Sequence, residues 1–186
     1  MSDYRRYFVP GGTYFFTLVT YDRQKILTTD IGRTLLRNAI EQVRITFPFS
    51  ILATVLLPDH WHLVMQLPAG DNNFSSRIRR IKEEFTTFWR LKRMPECAVT
   101  ESQSKRRERG IWQARFWEHC VRDEDDLTRC VDYIHWNPRK HELVSKVSDW
   151  PWSSFHRFVK AENYDEDWGG TLPNSIGTQV KTSWGE

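Results

Sequence analysis

The stretch SILATVLLPDHWHLVMQL, Ser50–Leu67, decides how this chain folds. Ser50–Leu57 is aliphatic and β-branched and reads as a strand. Pro58-Asp59 is a turn signal, and His60–Leu67 reads as the hairpin partner. The second strand is mostly apolar, yet it carries His60 and His62 one residue apart. Strand side chains alternate faces, so both imidazoles share one face and Trp61 takes the other. Two imidazoles on one rigid strand can chelate a divalent ion without a loop to organise them. A His-x-His pair on a hairpin is also common as ordinary polar surface, so this pair alone does not establish a metal site.

Outward from the hairpin, helices and strands alternate in a recognisable order. Thr13–Thr20 follows Gly11-Gly12 and reads as a strand. Asp30–Phe47 reads as a helix capped by Asp30, with Ile31, Leu35, Ala39 and Val43 as its apolar stripe. Asn72–Met94 reads as a long basic amphipathic helix with Phe74, Ile78, Ile81, Phe85 and Phe88 facing inward. Pro95–Gly110 is polar and charged and reads as a loop. Phe116–Arg122 reads as a fourth strand. A last helix is capped by Asp123, has acids in its first turn and is stopped by Pro138. The order β-α-β-β-α-β-α predicts an α+β fold of the ferredoxin-like, split βαβ kind, an antiparallel sheet with helices on one face. Residues 1–160 are expected to form one domain, and 161–186 an irregular extension.

Composition excludes several classes. The 186 residues are 39% apolar and 14% aromatic, which argues for a packed core over disorder. No apolar run reaches the length of a membrane span, and the N-terminus has no secretory pattern. Three scattered cysteines, Cys97, Cys120 and Cys130, form neither a disulfide framework nor a metal knuckle. A reducing cytoplasm is the expected compartment. The net charge is only +3, but Arg77–Arg115 holds twelve basic against five acidic residues. A basic middle suits a polyanionic partner, and equally a solvated helix face. Arg77, Arg79, Arg80, Lys82 and Arg115 are the candidate nucleic-acid contacts.

A second constellation lies on the last helix. At about 100° per residue, Leu127, Val131 and Ile134 cluster toward the core. Tyr133 lies on one flank of that stripe, and Asn137 sits one turn later, about 40° away. A phenol and a carboxamide therefore project side by side where the helix meets the sheet. A half-buried tyrosine with a satisfied hydroxyl is the plainer use of such a residue.

LLPDHWHLVMQLP, followed by CVDYIHWNPRKHELV, resembles the REP-associated tyrosine transposases, within the His-hydrophobic-His endonuclease group. GGTYFFTLVTYDRQKIL, WQARFWEHCVRDEDDL and DWPWSSF resemble that family too, and the similarity spans Arg5 to Phe158. The resemblance implies that His60, His62 and Asn137 hold a divalent metal, Mg²⁺ or Mn²⁺, and that Tyr133 is the nucleophile. It implies cleavage of single-stranded DNA beside REP-type hairpins through a covalent 5′-phosphotyrosine. It also favours a monomer over a dimer. Trp136 stands where the family pattern leads one to expect Tyr.

Two other classes remain open on the residues alone. One is a catalytically silent nucleic-acid-binding module on a ferredoxin-like sheet, which would display aromatics rather than His-x-His at its centre. The other is a phosphoesterase that uses water, with Tyr133 structural. In the extension, Glu162, Asp165, Glu166 and Asp167 precede Trp168, opposite in sign to the basic middle. This pattern predicts a tail anchored by Trp168 that folds back over the DNA-binding or active-site surface in a regulatory role.

Overall fold

Alternation along β1, Thr13–Val19, divides the interior in two. Tyr14, Phe16 and Leu18 point into one core and Phe15 into the other, as the two-residue period of a strand requires. The computed structural model describes residues 6–106 and 108–169. After β1 come α1 (Asp30–Thr46), β2 (Ser50–Leu56), β3 (His60–Gln66), α2 (Phe74–Leu91), α3 (Glu101–Lys105), β4 (Trp117–Cys120), α4 (Glu124–Lys140) and α5 (Phe155–Lys160). The strands form one sheet in the order β2-β3-β1-β4, with every neighbouring pair antiparallel. β1 and β2, joined through α1, are separated by β3, which is the split βαβ arrangement. The α+β fold read from the sequence is the fold observed.

α1 and α2 lie on one face, over Tyr14, Phe16, Leu18, Trp61, Leu63 and Met65. The expectation of helices on one face holds for these two. α4 packs on the opposite face, against β2 and β3. Phe15, Ala53, Val55 and Val64 make that second face apolar as well, and a sheet apolar on both faces must be covered on both. An irregularity in the β2–β3 register at Leu52 leaves Ile51 opposite Met65 and Ala53 opposite Val64. Such a bulge keeps both β2 residues pointing into a core. Trp61 closes the hairpin by donating from Nε1 to Thr54 Oγ1 at 2.6 Å.

Helix starts follow local side-chain chemistry. Thr29, not Asp30, caps α1 by accepting from the Gly32 amide at 3.0 Å. Asp30 becomes the first helical residue, where its charge favours the positive end of the helix dipole. Asp123 caps α4 as expected, accepting from the Asp126 amide at 2.8 Å.

Two further expectations need correction. Pro95–Gly110 is not simply a loop. It contains α3, opened by a capping box in which Thr100 and Gln103 satisfy each other's backbone amides. The segment closes on itself where the Cys97 amide meets the Gly110 carbonyl at 3.4 Å. At Gly110, φ is +64° and an added Cβ would lie 2.2 Å from the Cys97 oxygen, so glycine is required. Second, Pro138 does not stop α4, which continues to Lys140. Proline removes only its own amide bond to the previous turn. The following residues stay helical, and the His141 amide bonds the Asn137 carbonyl at 3.0 Å.

Beyond α5 the chain returns to α4. The Tyr164 hydroxyl bonds the Asp132 carboxylate. Trp168 packs on Tyr164 and Phe155 with ring centroids 4.6 and 6.0 Å away. Trp168 is thus packed on aromatic side chains of α5 and the segment after it, and Glu162, Asp165, Glu166 and Asp167 are exposed beside it. Residues 170–186 of the extension lie outside the described residues. No helix among the described residues is long and apolar enough to cross a membrane.

Candidate active site

β3 places His60 and His62 on the α4 side of the sheet, on a central strand, only 2% and 0% exposed. Their ring centroids are 4.9 Å apart and nearly perpendicular, at 83°. An oxygen holds Nδ1 of each ring. Thr17 Oγ1, from the residue directly opposite on β1, is 2.9 Å from His62 Nδ1. Asp59 Oδ1 is 2.7 Å from His60 Nδ1. With Nδ1–H donated to these oxygens, Nε2 carries the lone pair that a metal ligand needs.

Asp59 is fixed from several directions. Burial pushes its carboxyl up, but the hydrogen bond from His60 and the Arg23 guanidinium outweigh that and hold it at about 2. It is therefore a carboxylate at neutral pH and keeps the His60 ring oriented. Arg23 pairs with it at 3.3 Å. In the sequence alone, Asp59 is legible only as a turn residue.

α4 supplies the facing half of the site. Tyr133 and Asn137 are both fully buried. The Tyr133 ring stands edge-on to His62 at 5.4 Å and to Phe15 at 5.8 Å. Asn137 Oδ1 is shut off from solvent one turn later. Strand and helix thus bring the predicted phenol, carboxamide and two imidazoles to one interface. Two oriented imidazoles and a carboxamide oxygen form a donor set that fits a divalent ion of the Mg²⁺ or Mn²⁺ kind.

Two further side chains reach this interface that the sequence reading did not name. Lys140 Nζ donates to the Tyr133 hydroxyl oxygen at 3.0 Å and lies 5.0 Å from the centre of the tyrosine ring. His141, the C-cap of α4, puts a third imidazole 4.9 Å from His60. Lys140 follows Tyr133 by two helical turns and shares its face. Extending the helix past Pro138 would have revealed it.

His119, Asp126 and Cys130 also gather their polar atoms within 4.8 Å. Their chemistry is that of a strut. His119 Nε2 meets Asp126 Oδ2 at 2.8 Å, and the same carboxylate takes bonds from Arg122 and Arg129. Burial pushes the Cys130 thiol well above the usual thiol range, so it stays protonated. The cluster fastens β4 to the first turn of α4, the helix that carries Tyr133.

The basic middle separates into distinct roles. Arg79, Lys82 and Arg115 line one groove of about 760 Å³ with Arg6, Arg90, Arg106 and Arg109. This groove lies along α2, across the sheet from Tyr133. Lys82 donates to the Gln113 and Ala114 carbonyls at 2.6 and 3.2 Å. Burial lowers its ammonium to about 8, against the opposing charge of Glu108. Arg80 stands outside the groove, 4.8 Å over the Phe47 ring. Arg77 must be withdrawn from the DNA-contact set. It is 1% exposed, and its guanidinium is spent on the Pro48 and Asn73 carbonyls and on Asp71 at 2.6 Å.

The profile of the family described as Transposase IS200 like matches residues 9–137. A REP-associated tyrosine transposase of Escherichia coli K12 is 46% identical over 182 residues, covering 97% of this chain and 99% of that protein. A Haemophilus influenzae relative bearing the same family name is 51% identical over 172 residues, 91% of this chain and 94% of its own. The chain belongs to the REP-associated tyrosine transposases. A solved structure of the REP-associated tyrosine transposase bound to a REP hairpin superposes with a TM-score of 0.77. It is 44% identical and covers 94% of each chain. The matched family span of this transposase includes His60, His62, Tyr133 and Asn137 and ends three residues before Lys140.

Proposed function

We propose that this tyrosine transposase cuts and rejoins single-stranded DNA beside REP-type hairpins, with Tyr133 as the nucleophile. One observation carries the reading: Tyr133 stands edge-on to His62 at 5.4 Å, on the face where His60 and His62 are held by their Nδ1 atoms. A merely structural tyrosine has no need of two oriented imidazoles beside it. The hairpin-bound relative, 44% identical along nearly the whole chain, supports the same class of substrate here.

In this reading Tyr133 attacks the phosphorus in line. The new bond is Oη–P and the broken bond is P–O3′. The phenol proton leaves to water, and the departing O3′ takes a proton from water. The products are a 5′-phosphotyrosine and a free 3′-OH. Because the diester bond is conserved, a later 3′-OH attack reseals the strand without ATP. His60, His62 and Asn137 would hold the divalent ion, Mg²⁺ or Mn²⁺, and its charge would offset the negative charge growing at the phosphate. Thr17 and Asp59 keep the imidazoles turned toward that task.

The groove along α2 is the proposed track for the DNA backbone. Arg79, Lys82 and Arg115 act there with Arg6, Arg90, Arg106 and Arg109. Such contacts supply affinity and salt dependence, not sequence choice. We assign the protein to the cytoplasm, where the free thiols Cys97, Cys120 and Cys130 would stay reduced. We assign the chemistry to a monomer and to residues 1–160, and a regulatory role to the extension 161–186.

The test is incubation with an end-labelled single strand bearing a hairpin and Mn²⁺, followed by a denaturing gel. A labelled band that migrates with the protein is expected, and it should vanish in Tyr133→Phe. Binding without cleavage would mean a silent nucleic-acid module. Cleavage with no adduct would mean that water, not Tyr133, attacks.

A further inference from the structure

We propose that Lys140 is a second catalytic residue, whose ammonium neutralises charge at the Tyr133 oxygen and at the phosphate it attacks. The inference rests on the reading of Tyr133 as the nucleophile.

The geometry begins with the helix. Lys140 is seven residues after Tyr133, and two turns of α4 bring both to one face. Helical side chains lean toward the N-terminus, so the lysine stem runs back over the tyrosine ring. Nζ ends 3.0 Å from the hydroxyl oxygen and 5.0 Å from the ring centre. The ammonium also sits near the C-terminal end of α4, where the helix dipole favours positive charge.

The nature of this hydrogen bond matters. Here the hydroxyl oxygen accepts from an ammonium, so a positive charge stands beside the atom that must become nucleophilic. Charge-assisted bonds of this kind are roughly twice as strong as neutral ones. Tyr133 is fully buried, whereas Lys140 is only half-buried. A phosphorus positioned for attack lies about 3–3.5 Å from the hydroxyl oxygen. Its non-bridging oxygens then fall within reach of the same ammonium. Lysine suits this double task, being a compact point charge with three rotatable donors.

The step balances with water as the proton carrier. Tyr133 loses its proton as Oη–P forms, O3′ gains one as P–O3′ breaks, and Lys140 keeps its charge throughout. In resealing, the same ammonium stabilises the departing tyrosine oxygen. Lys140 should therefore matter equally for cleavage and for strand joining.

The experiment uses the full chain in single-turnover cleavage of a synthetic hairpin-bearing strand, with protein in saturating excess so that lost affinity does not slow the reaction. Lys140→Met and Lys140→Gln remove the charge, and Gln retains a hydrogen-bond donor. Lys140→Arg keeps the charge. Thermal unfolding identifies any variant that fails to fold, and two neutral variants keep the test alive if one does. Neutral variants should form the adduct about 100-fold more slowly, the loss typical of removing one donor to a developing anion. Arg should recover most of that rate. Wild-type rates in a folded neutral variant would overturn the assignment of Lys140 alone, as would Arg being no faster than Met. A wild-type protein that forms no adduct would instead overturn the role of Tyr133, and this proposal with it.

Discussion

Thr17 on β1 faces His62 on β3 as its direct register partner, with Oγ1 2.9 Å from Nδ1. The bond crosses the two central strands of the sheet, so the ring orientation is fixed by backbone pairing and not by a loop. Thr17→Val keeps the shape and removes the hydroxyl. Loss of such a supporting bond typically lowers metal affinity 10–100-fold, and about that shift is expected in the Mn²⁺ concentration for half-maximal cleavage. Global stability should fall by only about 0.5–1.5 kcal/mol. An unmoved Mn²⁺ titration would mean that the hydroxyl merely fills space.

Arg77 and Arg79 are two residues apart on α2 and should fail in opposite ways. Arg77→Ala strands Asp71 and the Pro48 carbonyl, and should cost about 2–3 kcal/mol in urea unfolding. Arg79→Ala with Arg115→Ala should leave stability nearly unchanged and weaken DNA binding. Each lost phosphate contact should make the slope of log K against log salt shallower by about 0.7. If the groove variants bind with an unchanged salt slope, the backbone does not run along α2.

His135 should give the fold a pH dependence. Its ring is buried among Phe155, Phe158 and Tyr164. Burial first, then the charges of Arg157 and His156, lower it from 6.5 to about 3. Below 6.5 the unfolded chain binds a proton that the folded chain refuses. Its contribution is therefore complete above pH 6.5 and is lost as pH falls toward 3. Between about pH 5.5 and 4 the slope from this group should approach about 1.4 kcal/mol per pH unit. His135→Gln should flatten stability over that window, and an equally steep curve in the variant would assign the dependence elsewhere.

The strut between β4 and α4 should be structural. Asp126→Asn removes the charge that His119, Arg122 and Arg129 share, and should lower stability by about 2 kcal/mol. If the hydrogen bonds alone hold the strut, EDTA should leave the unfolding midpoint of the wild type unmoved unless the His60–His62 site is loaded. If EDTA destabilises a His60→Ala, His62→Ala double variant, the strut holds a metal after all.

Much of the site was legible because period-two and period-3.6 spacing are local properties. His60 and His62 had to share a face once His60–Gln66 was a strand. Tyr133 and Asn137 had to share a flank once Glu124–Lys140 was a helix. Lys140 was missed because Pro138 read as a stop, and a proline near the end of a helix costs only one backbone bond. Arg77 was misassigned because charge does not say which way a side chain points. On α2 it falls beside Ile78 and Ile81, on the buried side.

The sequence by itself determined the order of the four strands and three long helices, the hairpin, the two candidate pairs of side chains and the family. These depend on residues close together in the chain, where backbone geometry alone sets direction. Only the tertiary structure decided that α4 lies across the sheet from α1 and α2, so that Tyr133 meets His62. It also decided that Thr17 and Asp59 hold the imidazoles, and that Arg6, Arg79, Arg90 and Arg115 share one groove. Each of these depends on contact between residues distant in sequence, and such contacts exist only when the strands pair and both faces of the sheet are buried.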